Sequence, residues 1–336
     1  MMHFLYGLLI FATAGVMNGS FALPSKRLER WSYERIWLNY SVWAFFIFPL
    51  LLIFLFAPAA FSIYLHAKVS QIAVILIGGF LFAIGQICFA RALKTIGLGL
   101  GFVINISIGT ALGSLIPLLI QHSNHIATTR GLLIIFAVAL IILGVFISYL
   151  AGLKRDKYDV DKVHEKGYFF GVFNAVIAGL FSAGQNITFS YTTNLQYQAL
   201  SEGVNHIIAA NIIWPAFLLA TFIPYALHML YLHFKNNKGA TLFRSPSYYL
   251  AAMMMGAFWY FSLILYSVGS LKLGELGPVI GWPLFMVCII LTANLWGWRH
   301  GEWRLAPVNV KRLAILSIVI LILAIMVLGY GAFLRH

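Results

Sequence analysis

Ten stretches of apolar residues alternate with short polar ones along this chain, at about 2–23, 36–57, 70–91, 97–120, 130–151, 167–190, 206–232, 248–268, 276–297 and 312–334. A helix rises about 1.5 Å per residue and a bilayer core is about 30 Å thick, so each stretch is long enough to cross. Inside lipid a backbone satisfies its own hydrogen bonds, which predicts helices. The runs are too long and continuous to be the alternating strands of a membrane barrel. The expected fold class is an all-α polytopic membrane protein with ten transmembrane helices. The first run follows no Lys or Arg and extends from about Phe4 to Leu23, so it reads as a span and not as a cleaved leader.

Composition agrees. Of 336 residues 62% are apolar and 9% charged, with a mean hydropathy of +0.91. So few charges cannot cover a water-soluble surface of this size. The net charge of +13 would suggest a polyanion partner in a soluble protein. Here the charge sits in short loops. Of the 22 Lys and Arg, all but Lys68, Arg130, Lys272 and Arg335 follow spans 1, 3, 5, 7 and 9. That bias assigns the odd loops to the cytoplasm, and with ten spans both termini face outward. No nucleic-acid partner is expected. Cys88 and Cys288 each lie in an apolar run and imply neither a disulfide framework nor a metal cluster.

The most hydrophilic stretch, 152–166, divides the chain into a first five-helix unit (1–151), a cytoplasmic linker (152–166) and a second five-helix unit (167–336). An odd number of spans per unit inverts the second relative to the first, as in many secondary transporters. Weak internal matches support this. Gly7, Ala14 and Gly15 correspond to Gly171, Ala178 and Gly179, and Gly101-x-Val103-Ile104 corresponds to Gly277-x-Val279-Ile280.

Polar side chains are costly in lipid and turn toward a partner or a cavity. Span 6 aligns Asn174, Ala178, Ser182 and Gln185. Span 4 carries Asn105, with Ser107, Thr110 and Ser114 on a second stripe. Span 1 has Asn18, span 3 has Gln86, and span 8 aligns Trp259, Ser262 and Tyr266. A sugar would use this mixture: amides and hydroxyls bond its hydroxyl groups, and an indole covers its C–H face. The candidate substrate-binding residues are Asn18, Gln86, Asn105, Asn174, Ser182, Gln185, Trp259 and Trp282, with Tyr260 and Trp214 as further platforms. Plain helix packing by small and amide residues is the competing explanation. Trp37, Trp296, Trp298 and Trp303 lie at helix ends and read as interfacial belt residues.

Outside the cytoplasmic loops the carboxylates are Glu202 and Glu275. Desolvation raises a carboxylate toward neutral pH, so either could load a proton outside and release it inside. Glu275 lies within Gly274-Glu-Leu-Gly-Pro278, two turns before Trp282. Glu202 shares a helical face with Asn205 and His206 in this reading. Candidate proton-coupling residues are thus Glu275, Glu202 and His206. Gly and Pro interrupt spans 4 and 9 in corresponding places, and Pro215 and Pro224 should kink span 7. No phosphate loop, Gly-x-Ser-x-Gly or zinc-type histidine motif is present. No enzyme activity, metal or cofactor is implied.

The segment Asn18-Gly-Ser-Phe-Ala-Leu-Pro24-Ser-Lys26-Arg27-Leu-Glu-Arg-Trp31-Ser-Tyr-Glu34-Arg-Ile-Trp37, together with Gly277-Pro278-Val-Ile-Gly281-Trp282-Pro283-Leu-Phe-Met286 and Gly301-Glu302-Trp303, resembles the L-rhamnose–proton symporter family of the drug/metabolite transporter superfamily. The resemblance implies ten helices in two inverted five-helix repeats and proton-driven sugar uptake in the inner membrane. The expected partners are then a small sugar such as L-rhamnose, protons and the lipid bilayer. A facilitator or exporter of another metabolite or drug is the alternative within the superfamily.

Overall fold

The computed structural model describes residues 2–56, 61–156, 167–236 and 245–334, and no strand occurs among them. The helices are α1 (Met2–Ser20), α2 (Tyr33–Ser41), α3 (Phe48–Phe56), α4 (Phe61–His66), α5 (Val69–Gln121), α6 (Thr129–Asp156), α7 (Tyr168–Tyr191), α8 (Thr193–Ser201), α9 (His206–Ala210), α10 (Trp214–Asn236), α11 (Pro246–Lys272), α12 (Gly277–Arg299) and α13 (Val308–Phe333). Among the described residues nine segments are long and apolar enough to cross a membrane, and they match the expected spans 2 to 10. The helix α1, 19 residues long, is not among the nine. Most of the expected linker, 157–166, lies outside the described residues, as do Lys238, Arg244 and Arg335.

Several spans differ in detail from the hydropathy pattern, each for a local reason. Span 2 is three pieces, because a π-helical turn at Val42–Ile47 joins α2 to α3. Pro49 follows it. Its ring displaces the carbonyl four residues back, and a widened turn absorbs the conflict. Spans 3 and 4 form one helical element that folds back on itself. The rings of Phe89 and Phe102 lie 5.1 Å apart, and a Cβ at Gly101 would stand 3.0 Å from Leu93. Thirteen residues of straight helix would separate them by about 20 Å, so α5 is a hairpin with arms Val69–Ile96 and Gly101–Gln121. Span 7 is α9 followed by α10, and Pro215 occupies the first turn of α10, where its missing N–H costs nothing, so it starts a helix rather than kinking one. Pro224 lies inside α10.

The helices pack in two groups. In the first, α1 lies between α11 and α12. It runs antiparallel to α11, with Phe11 near Gly269 and Asn18 bonded to Ser262. It runs parallel to α12: Phe11 meets Gly281, Gly15 meets Cys288 and Gly19 meets Thr292. In the second group α7 lies between the arms of α5. It runs antiparallel to the first arm, with Phe181 near Gly85 and Thr188 near Gly78, and parallel to the second, with Gly179 near Ile108 and Ser182 near Gly109. Glycines allow these close approaches, because a side chain there would enter the neighbouring backbone. The hairpin also receives α10, while α2 packs on both α10 and α11, and α6 pairs with α13.

The loops gather at two ends. One end brings Glu34 to Asn236, Arg35 to Tyr249, Ser20 to Trp296 and Arg155 to Glu302. We call it the Glu34 end. At the other, the His122 end, Ser190 meets Gln121 and Tyr64 bonds Ile212. Trp303 is not a belt residue, because it is buried in protein, stacked on Trp298 and covered by the Arg155 guanidinium. The Trp296 indole N–H donates to Ser20 at 2.8 Å.

Candidate functional site

Two of the expected polar stripes meet across helices. The Asn18 amide donates to the Ser262 hydroxyl at 2.8 Å, and Ser262 donates to the carbonyl of Trp259. In the second group the Ser182 hydroxyl donates to the Asn105 carbonyl oxygen at 3.3 Å. Asn18, Asn105, Ser182, Gln86 and Trp259 are all half-buried. The Trp259 indole is framed by Tyr40, Phe45 and Phe82, with the Phe45 ring at 5.1 Å. Gln86 lies one turn beyond Phe82. These residues sit in the middle of the bundle and toward the Glu34 end.

The remaining candidates lie elsewhere. Asn174 is buried and donates to the Phe170 carbonyl of its own helix, and Gln185 is buried in α7. Trp282 is 1% exposed and donates to the Gly109 carbonyl at 2.9 Å. It packs edge-on against Tyr266, beside Phe285. Trp214 is equally buried, stacked on Phe189 at 5.3 Å and bonded to Ser267. Tyr260 is buried against Phe48. Gly277 through Phe285 are all buried in succession, so the start of α12 has protein on every side.

The carboxylates differ from their expected setting. Glu202 and His206 do not share a helical face. Gly203, at φ 81°, ends α8 in a conformation open to glycine, and Asn205 then caps α9 through its side chain. Both Glu202 and His206 are exposed, and Glu202 accepts from Gln198. Glu275 is not on a helix with Trp282 either, because α12 begins at Gly277 and Glu275 stands in the turn after Gly274, at φ 75°. It lines a cavity of about 860 Å³ at the His122 end, with His125, Thr128, Thr129, Arg130, Lys272 and Tyr330. Burial holds the nearby His122 below its ordinary pKa of 6.5, and the Glu275 charge partly opposes this.

Two residues escaped the sequence reading, Asn186 and Glu34, and a third, Ser114, was placed on a stripe without its partner. Asn186, fully buried, donates to the carbonyls of Gly113 (2.8 Å) and Pro278 (3.0 Å) and accepts from the Tyr266 hydroxyl. Ser114 donates to the Val279 carbonyl at 2.6 Å. The signal for both was proline. Pro117 and Pro283 lack an N–H, so the carbonyls four residues earlier, Gly113 and Val279, need a donor from another helix. Glu34 is 8% exposed, and its carboxylate accepts from Asn236 at 2.5 Å and ties α2 to α10.

Among the described residues no group of three or more His, Cys, Asp or Glu is placed to hold a metal. The site is thus an assembly of amides, hydroxyls and aromatics inside a helical bundle, with ionisable groups at its ends. Similar proteins share this length. A protein named L-rhamnose-proton symporter from Mannheimia succiniciproducens is 23% identical over 320 residues, covering 93% of each chain. Another of that name from Yersinia pestis is 21% identical over 323 residues, again 93% of each. The family model described as L-rhamnose-proton symport protein (RhaT) matches residues 2–333, and this multi-pass membrane chain belongs to that family of transporters, which are not enzymes.

Proposed function

We propose that the chain takes up a small sugar such as L-rhamnose together with protons across the inner membrane, alternating access between its two helix groups. The family and the names of its relatives support the chemistry. The observation that carries the reading from geometry is that each group contributes a half-buried amide bonded to a hydroxyl, Asn18 to the buried Ser262 and Asn105 to Ser182, with the partly open Trp259 indole beside the first. These groups suit sugar hydroxyls and a sugar C–H face. Glu275, in the polar cavity at the His122 end, is the proposed proton carrier, with Glu202 and His206 on the same side.

The reading includes ten spans as two inverted five-helix repeats, as in the drug/metabolite transporter superfamily. Two observations support it. The helix α1 runs parallel to α12 from Phe11 to Ser20, beside a helix able to cross the membrane, which supports reading α1 as the tenth span. The packing also exchanges between halves: α1 lies between α11 and α12 as α7 lies between the arms of α5, with the same parallel and antiparallel senses. The loop charges then make the Glu34 end cytoplasmic, with both termini outside.

The test is uptake of labelled L-rhamnose and a panel of related sugars into proteoliposomes under an imposed pH gradient. Gradient-dependent accumulation is expected. Uptake that merely equilibrates would indicate a facilitator, and no uptake of any sugar would overturn the proposal.

A further inference from the structure

Hydrogen bonds tie the helix groups to one another at both ends of the bundle. At the Glu34 end Glu34 of α2, a helix that packs on α11, accepts from Asn236 of α10, a helix that packs on the hairpin. The polar pairs in the middle, Asn18–Ser262 and Asn105–Ser182, are each internal to one group. Toward the His122 end six bonds among the described residues join α11 and α12 to the hairpin, α7 and the α9–α10 segment: Asn186 to the Pro278 carbonyl, Tyr266 to Asn186, Ser114 to the Val279 carbonyl, Trp282 to the Gly109 carbonyl, Trp214 to Ser267 and Asn211 to the Ile264 carbonyl.

Two prolines make this arrangement possible. Pro117 frees the Gly113 carbonyl within the α5–α7 group, and one N–H of Asn186 is bound there. Only an amide nitrogen can face two carbonyl oxygens, so the orientation of Asn186 is fixed. Its second N–H and its oxygen are then aimed across the interface at Pro278 and Tyr266. Pro283 frees the Val279 carbonyl in the other group, and Ser114 fills it from across. When the groups separate at this end, water replaces the crossing partners, so the bonds add stability only while the end is shut.

We infer that Asn186 and Ser114, set against the carbonyls freed by Pro117 and Pro283, are positioning residues that latch the His122 end of the transport pathway shut. The inference rests on the alternating-access reading above and names the residues that govern one of its two states.

The test separates a latch from a merely structural role. Thr110, fully buried one turn before Ser114 on the same face of α5, becomes the reporter through Thr110→Cys, in a background where Cys88 and Cys288 are Ala. Reaction with a small polar thiol reagent is timed in nanodiscs. Asn186→Ala should speed labelling on the order of tenfold, the effect of losing its two crossing hydrogen bonds at about threefold each. Adding Pro117→Ala gives the Gly113 carbonyl a backbone N–H again. The double variant should therefore regain thermal stability while still labelling fast, because the crossing bonds stay absent. Labelling of Asn186→Ala at the parental rate, or a return to that rate in the double variant, overturns the latch. If Asn186→Ala does not fold, Tyr266→Phe removes one crossing bond alone and should speed labelling about threefold; an unchanged rate there overturns it too. Sugar counterflow, measured separately, reports the transport reading, so fast labelling without counterflow would sink that reading and leave the latch standing.

Discussion

Gly15→Ala tests the seating of α1 against α12. An added methyl would overlap the Cys288 Cβ outright and stand 2.9 Å from the Cys288 carbonyl carbon and 3.0 Å from its Cα. Carbon atoms rest at about 3.5–4.0 Å, and neither backbone nor Cβ can swing aside, so the helices must part by roughly 1.5 Å. Overpacking of this kind costs about 1–3 kcal/mol. The same shift stretches the Trp296–Ser20 bond, now 2.8 Å, beyond bonding range, for about 1 kcal/mol more. Alanine's better helix propensity returns at most about 1 kcal/mol. The net loss is about 1–3 kcal/mol, or a fall in Tm of roughly 1–4 °C for a chain of this length. Gly184→Ala is the control, because nothing lies within 4 Å of a Cβ there. It should leave Tm unchanged or slightly raised. Thermal unfolding of both variants in the same detergent decides the matter. If Gly15→Ala is as stable as Gly184→Ala, α1 does not run along α12 as described, and the argument for a tenth span fails with it.

Three further outcomes are expected. Trp259→Ala should raise the sugar concentration for half-maximal uptake about tenfold with little change in Tm, since its ring is only half-buried; an unchanged value removes it from the site. Glu275→Gln should abolish gradient-driven accumulation while sparing counterflow exchange, and intact accumulation would exclude Glu275 as the carrier. His122 is held below 6.5 by burial, so its neutral form favours the folded state above that pH, and this contribution fades as the pH falls below 6.5. Tm measured from pH 7.5 to 5 should therefore drop less in His122→Gln than in the parent, and more in Glu275→Gln, which removes the opposing charge; equal slopes in all three would refute the coupling.

Much of this architecture was legible because lipid imposes a simple rule on the backbone. Long apolar runs became helices, and the boundaries of α6, α11 and α12 fall within a few residues of their expected places. What escaped depends on contacts between helices or on single torsions. The shared face of Glu202 and His206 failed at Gly203, whose positive φ no periodicity encodes. The stripe of α7 was followed from Ser182 by three residues to Gln185, whereas a step of four reaches Asn186. Both steps stay on one helical face, so spacing could not choose between them. The choice was made by a proline on a different helix. Trp282 and Trp259 looked equivalent as aromatic residues within apolar runs, yet the glycines at 109 and 113 give the Trp282 ring a slot and a carbonyl, while Trp259 meets only other rings.

The prolines also bear on how a bundle like this can move. A proline in a membrane helix leaves an acceptor that must be met, and the donor that meets it becomes a tie to a specific neighbour. Where the donor lies in the same helix group, as Asn186 does for Gly113, the tie is permanent and only orients a side chain. Where it lies in the other group, as Ser114 does for Val279, the tie can break when water reaches it, at modest cost because water is an equivalent partner. The pairs Asn18–Ser262 and Asn105–Ser182 need no such breakage, since each travels with its own group. A sugar that bonds both pairs would draw the groups together at the middle of the bundle, and the His122-end ties would then compete with the Glu34–Asn236 tie for the same small rotation. Substrate and latch thus act on one coordinate, the separation of the α1–α11–α12 group from the α5–α7 group, and each polar residue contributes according to whether its partner lies across that divide.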